Sequence, residues 1–269
     1  MQTLPESLNF LCPHKTELIR IGNAGDGGYV IPARSLDAVE HLVSIGISDD
    51  WTFEEEAARR SPAIRIDGYD RTSGSLVFLY YGVRDFVSLL RGKNTKKFFY
   101  RILKWLRLSY KFKSFWSHKH SFFRRWVVLN KESRKEIDLA SVFARVPQSS
   151  ILALKIDIEG NEYAMSQIVL EEIARRANRI QLVVMEFHNT ITMRQEFLEF
   201  VAAISKLLPV VHIHGNNFGH VGEDGFPDVV EITFAAQQYV SDEKTLEFPH
   251  HLDSPCNPTA PDIAFCFNL

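Results

Sequence analysis

Cysteine is scarce and unpatterned: Cys12, Cys256 and Cys266 are the only three, and none forms a Cys-x-x-Cys pair. Such usage indicates neither a disulfide framework nor a zinc ribbon, and it fits a reducing compartment. No uncharged apolar run reaches the roughly 18 residues that a spanning helix needs. The start, Met1 to Glu6, lacks the basic residues and apolar stretch of a secretion signal. These absences predict a cytoplasmic protein. Internal repeats are missing too, which argues against a solenoid. A glycine-rich pyrophosphate cradle is also absent: Gly46-Ile47-Ser48-Asp49 carries acid where a phosphate would sit. That weakens a nicotinamide-dependent oxidoreductase. Finally, acid is missing from one long stretch. Every charged residue from Arg91 to Lys131 is basic, although the whole chain of 269 residues has a net charge of −2. A basic segment therefore sits on an acidic body.

What is present is a chain long enough for one sizeable core, 45% hydrophobic. The expectation is a single domain over residues 1–269, with a basic amphipathic insertion at about 92–130. Three glycines in four positions, Gly25 to Gly28, read as a tight turn into a short strand. His41 to Ile45 reads as a strand closing on Gly46, and Ser48 to Arg60 as a capped helix. Ala63 to Asp70 is a second strand and Leu76 to Tyr81 a third. Ser150 to Asp157 and Gln181 to Phe187 are buried strands, and Glu162 to Ala177 and Met193 to Leu208 are helices. Val210 to His214 and Val229 to Ala235 follow as strands, and an antiparallel hairpin is expected between Val229 and Ile263 to Phe267 at one edge. Alternating strands and helices predict a mostly parallel sheet covered by helices on both faces.

Ligands in open α/β sheets bind beyond the carboxyl ends of the strands. Gly46, Asp70, Asp157, Glu159, Glu186, His188, His214, Asn216 and Asn217 all fall at such ends. A glycine after the first strand lets a ligand approach the backbone, and an acid closing the second can accept ribose hydroxyls. Equally, Asp70 could be a solvated strand-end acid. His188 and His214 have the side chain suited to general-base work near neutrality, but each could instead be a strand-end residue bonded to a loop. Asp157, Glu186 and His188 offer oxygen and imidazole donors for magnesium or manganese. Glu162 fits the cap of the helix that follows it.

Several stretches resemble the FkbM-type family of S-adenosylmethionine-dependent methyltransferases: Asp26-Gly27-Gly28-Tyr29-Val30, Ser44 to Ile47 with Phe53-Glu54, Gly68-Tyr69-Asp70, and above all Lys155-Ile156-Asp157-Ile158-Glu159-Gly160. Met185 to His188, His214 to Asn217, Pro227-Asp228 with Glu231 to Phe234, and Pro258 to Phe265 extend it to most of the chain outside residues 92–130. The resemblance implies a Rossmann-like seven-stranded methyltransferase sheet with helices on both faces and a basic helical insertion. It also implies Gly46 and Ile47 beside S-adenosyl-L-methionine, Asp70 on the ribose hydroxyls, and Asp157 at the centre of the cleft. The expected reaction is O-methylation of a sugar, glycolipid or related small-molecule hydroxyl. The departure is Ser48-Asp49-Asp50, where a second glycine is common. That departure sustains an alternative, a non-catalytic protein of the same fold recruited to a membrane or polyanion.

Placed on a helix, Lys96 to Trp116 gathers Phe99, Ile102, Leu103, Leu106 and Tyr110 on one side, flanked by Phe98, Trp105, Phe112 and Trp116. Lys97, Arg101, Lys104, Arg107 and Lys111 fall opposite. Such a helix either lids the domain or lies on an anionic membrane, through residues 96–125, at the inner face. Nucleic acid ranks third, because the aromatic residues stand apart from the basic ones.

Overall fold

The computed structural model describes residues 2–91, 95–117 and 119–269. Lys93 of the basic run, and the side chain of Lys97, lie outside the described residues. Seven strands form the central sheet: β1 (His41–Ile45), β2 (Arg65–Tyr69), β3 (Ser121–Phe123), β4 (Leu152–Ile156), β5 (Ile180–Phe187), β6 (Val210–Gly215) and β7 (Val230–Ala235). Their spatial order is β6-β7-β5-β4-β1-β2-β3. All pairings from β5 to β3 are parallel, whereas β7 runs antiparallel to both β5 and β6. This is a Rossmann-like, mostly parallel sheet with one antiparallel strand. Chain order reverses at β1 and β4, the switch point where a crevice opens beyond the strand ends.

The helices are α1 (Thr52–Arg60), α2 (Ser75–Leu90), α3 (Thr95–Phe115), α4 (Leu139–Ala144), α5 (Ser166–Arg176) and α6 (Arg194–Ser205). β4 and β5 are buried along their whole length, as strands covered on both faces must be. Alternate residues serve the two faces. Ile45, Leu154, Ile156, Val183 and Met185 pack with Val142, Val169, Ile173 and Phe197 from α4, α5 and α6. Leu42, Ala153, Leu182 and Val184 pack with Phe53 and Ala57 of α1 and with Phe78 of α2. A two-stranded hairpin, Leu18–Ile21 with Tyr29–Pro32, completes the second layer.

Two expectations are corrected. Leu76 to Tyr81 is not a strand but the first part of α2. A continuous apolar run of six residues suits a buried strand and a helix equally, and the run continues with helical spacing to Leu90. The third strand of the sheet is instead the short Ser121–Phe123. Nor does Phe265–Cys266 pair with β7. It joins Gln2–Thr3 and Glu247–Phe248 in a separate small sheet, while β7 is enclosed between β5 and β6.

The hairpin of α2 and α3 is pinned along its inner side. Trp105 stacks on Phe78 with 6.1 Å between centroids, and its indole N–H donates to Asp85 at 2.9 Å. Arg101 also meets Asp85 at 2.9 Å, and the Ser75 and Ser109 hydroxyls bond at 2.8 Å.

Candidate active site

The site grows from the carboxyl ends of β1, β2, β4 and β5. The amide of Gly46 donates to Tyr69 and that of Asp157 to Ile45, both at 3.0 Å, which extends the β2-β1-β4 ladder one residue into the crevice. Gly46 takes φ +81°, and a Cβ there would lie 1.7 Å from the Asp157 carbonyl oxygen. Only glycine lets these two chains approach so closely. Just beyond the strand ends, Ser48, Glu159 and Asn189 take φ of 51°, 55° and 56°. Backbone in this region is costly for non-glycine residues and concentrates where a site is being shaped.

Two cavities share the wall formed by Gly46, Ser48, Asp157 and Glu159. One, of about 630 Å³, runs past Tyr69, Asp70, Thr72, Trp126 and Val127. The other, of about 780 Å³, is floored by Lys155, Asp157, Glu186 and His188 and walled by Asp26, Tyr29 and Phe218. Sheet geometry thus brings Gly46, Ile47, Asp70, Asp157, Glu186 and His188 to one place.

Asp70 is engaged on both carboxylate oxygens by neighbouring backbone and hydroxyl groups. Its Oδ2 accepts from the amides of Ile47 at 2.9 Å and Ser48 at 2.7 Å, and its Oδ1 from the Thr72 hydroxyl at 2.6 Å and the Ser73 amide at 3.2 Å. The carboxylate therefore holds the Gly46 turn in shape. The neighbouring acids are also accounted for: Asp49 pairs with Lys104 of α3 at 2.6 Å, and Asp50 accepts from the Thr52 amide at 2.9 Å at the start of α1.

Lys155 is buried and donates to the Gly46 carbonyl at 2.6 Å, with Tyr29 beneath its ammonium. Carboxylates crowd it. Burial raises the Asp157 carboxyl to about 6, even though Lys155 and His188 pull it down, and Glu159 and Asp26 add to the rise. Burial, then the charges of Asp157 and Glu231, lift Glu186 well above the ordinary range. Burial also raises Asp26, with Glu231 next in effect.

His188 is held by Glu162, which accepts from Nδ1 at 2.9 Å. Nε2 is then left 3.7 Å from both Glu186 and Glu159. Burial alone would lower this imidazole, but the hydrogen bond to Glu162 and the charges of Glu186, Glu162 and Asp157 win and raise it to about 9. Asp157, Glu186 and His188 each offer a ligand atom within 4.8 Å of the others.

His214 stands apart. It is buried, with Nδ1 on Glu231 at 3.0 Å and Nε2 on Asp262 at 3.1 Å, so neither nitrogen is free to take a proton. Its neighbour Asn216 does reach the cleft and donates to Glu186 at 2.8 Å. Asn217 instead ties down the carbonyls of Asn257 and Ala260. Two members of the site carry weak sequence signals: Lys155 stands out only as a lysine inside an apolar strand, and Glu162 suits a helix cap as well as a functional role.

No protein-family model matches the chain, and no curated protein matches it. Among solved structures it is similar to a precorrin-6y C5,15-methyltransferase from Geobacter metallireducens, at 13% identity over 76% of this chain and 87% of that one, with a TM-score of 0.36. It is also similar to a spermidine synthase from Thermotoga maritima, at 10% identity over 82% and 63% of the two chains, TM-score 0.40. A predicted O-methyltransferase from Agrobacterium tumefaciens is similar at 11% identity over 77% and 81%, TM-score 0.34.

Proposed function

We propose that this chain is an S-adenosylmethionine-dependent methyltransferase of the FkbM type that methylates a hydroxyl of a sugar, glycolipid or related small molecule. The observation that carries the reading is the occupation of the Gly46 turn by Asp70. The amides of Ile47 and Ser48, which would cradle a phosphate, already serve a carboxylate. Asp157 and Glu159 line the same wall. Such a surface rejects an anionic cofactor and suits a cationic one. S-adenosylmethionine, when bound, supplies a methyl group on a sulfonium centre. Gly46, Ile47, Asp70 and Asp157 are the residues that would hold it, the Thr72 hydroxyl being the one rotatable partner that could yield Asp70 Oδ1 to a ribose.

In this reading the second cavity takes the acceptor. Nε2 of His188 removes the acceptor's hydroxyl proton in the neutral form of the ring, a form that grows as pH approaches its raised value of about 9, and Glu162 fixes the ring so that this nitrogen faces the cavity. Lys155 braces the Gly46 turn and keeps several close carboxylates from repelling one another. With Asp49 and Asp50 engaged in structural pairs, the acidic turn no longer favours the non-catalytic alternative.

The convergence of Asp157, Glu186 and His188 supports a second reading of the same floor, a site for magnesium or manganese. The buried Glu186 carboxyl, raised by burial and by the charge of the half-buried Asp157, stands beside an oriented imidazole, and the three make a fitting donor set. A ligated Nε2 could not also act as the base, so the two roles of His188 exclude each other. Calorimetric titration with S-adenosylmethionine tests the main proposal. Saturable binding supports it, and the absence of binding at millimolar cofactor overturns it.

A further inference from the structure

The helical hairpin turns its amphipathic faces the wrong way round for a lid. On α2 the residues Leu76, Leu79, Val83, Phe86 and Leu90 recur at three- and four-residue steps and all face solvent, Leu76 being 77% and Leu90 71% exposed. On α3 the residues Phe99, Leu103, Leu106 and Tyr110 do the same, with Tyr110 at 77%. The inward side is formed by Phe78, Trp105, Phe112 and Trp116 and is locked by Asp85. The residues flanking the α3 stripe in sequence order, not the stripe itself, therefore pack on the core. An apolar surface of two parallel rows is far more than the scattered exposure of an ordinary soluble face.

Charge identifies what covers it. Asp85 is the only acid between residues 71 and 131, and it is buried against Trp105 and Arg101. Arg84, Arg91, Lys96, Arg107 and Lys111 of the hairpin are exposed, while Lys104 is paired with Asp49. A second copy of the hairpin would set these cations against their own kind, with no carboxylates to pair across the seam. An anionic bilayer answers both features, since its acyl boundary takes the rows and its headgroups neutralise the flanks.

We propose that the α2–α3 hairpin docks flat on an anionic lipid bilayer, inserting the two exposed rows while its basic residues meet the headgroups. No helix among the described residues is long and apolar enough to cross a membrane, so the attachment is in the plane of the interface. The hairpin is rooted at the acceptor cavity, where Lys104 and Leu108 of α3 form part of the rim. Docking thus brings the cavity mouth to within about one helix diameter, ~10–12 Å, of the surface. The docking does not depend on the reaction catalysed.

The test is co-sedimentation of the full chain with vesicles of phosphatidylcholine alone and of phosphatidylcholine with 30% phosphatidylglycerol, about 0.1 M salt. The full chain should pellet with the anionic vesicles and stay in the supernatant with the neutral ones. The paired substitution Val83→Glu with Leu103→Glu, both on exposed positions, should weaken anionic-vesicle binding at least about tenfold, in line with the insertion cost of a charge. Circular dichroism and S-adenosylmethionine titration of this variant should match the parent, which separates lost docking from lost folding or lost cofactor binding. Failure to pellet overturns the proposal. So does equal pelleting of the double variant. Analytical ultracentrifugation showing a stable dimer that the same two substitutions dissociate overturns it in favour of a second copy.

Discussion

Glu162 accepts from Nδ1 of His188 at 2.9 Å, and this one bond decides which nitrogen of the ring faces the larger of the two cavities. Glu162 lies where the chain leaves β4 for α5, and His188 follows β5, so two adjacent parallel strands build the pair. If His188 is the base, His188→Ala should lower kcat by about 10²- to 10⁴-fold, the usual worth of general-base catalysis. Glu162→Gln keeps the shape but weakens orientation, and about 10- to 100-fold is expected. Cofactor affinity should stay within about twofold in both. Steady-state kinetics with a hydroxyl acceptor would read this, and a Glu162→Gln enzyme with unchanged kcat would remove the pair from the mechanism.

If Asp70 holds the cofactor as proposed, it links cofactor binding to folding, because its carboxylate also accepts from the Ile47, Ser48 and Ser73 amides. Hydrogen bonds to a charged group contribute about 1.5–3 kcal/mol each. Asp70→Asn retains one acceptor oxygen, so a stability loss of about 1–3 kcal/mol is expected, together with weaker S-adenosylmethionine binding. Denaturant unfolding and calorimetry on the same variant should move together. Full affinity in a destabilised variant would confine Asp70 to a structural role.

How far the sequence discloses this arrangement depends on which residues end each strand. β1, β2, β4 and β5 are apolar runs closing on Gly46, Asp70, Asp157 and Glu186 with His188, and a strand end is where α/β proteins put ligands. Convergence of Asp157, Glu186 and His188 needs one further fact, that β4 and β5 are neighbours with Ile156 opposite Met185. Elements without such punctuation were hidden. β3 is three residues at the sheet edge, inside a segment whose periodicity is helical. Leu76 to Tyr81 has no polar residue to mark a period, so helix and strand look alike. The pairing of Gln2–Thr3 with Phe265–Cys266 joins the two ends of the chain, which no local pattern encodes. Glu162 was hidden by its own propriety, since a carboxylate opening a helix needs no other reason to be there.

The cation reading of the floor makes a separate prediction. Manganese titrated into the cofactor-free protein should bind saturably if Asp157, Glu186 and His188 are ligands. Replacing one oxygen donor, Glu186→Gln, should weaken that binding about tenfold or more. The experiment uses calorimetry or water-proton relaxation and requires no methyl transfer. An unmodified affinity in Glu186→Gln, or none in the parent, sinks the metal site and leaves His188 as the base.

His214 predicts a pH dependence of stability that no surface group would produce. Burial alone would lower its imidazole, but hydrogen bonds to Asp262, Cys256 and Glu231 outweigh burial and raise it. Below about pH 6.5, the ordinary histidine value, the ring is protonated in both folded and unfolded chains and its ion pairs stabilise fully. Above that pH the unfolded ring loses its proton while the folded one keeps it, so stability falls as pH rises towards the raised folded value. The steepest possible decline is about 1.4 kcal/mol per pH unit from this one group. Urea unfolding of the parent between pH 6 and 9 should show the decline, and His214→Gln, less stable at pH 6, should show a flatter line. Ring nitrogen shifts in a ¹⁵N-histidine sample give the direct readout: a His214 that deprotonates near pH 6.5 would contradict the pairing, because an imidazole clamped between Glu231 and Asp262 has to keep its charge well past neutrality.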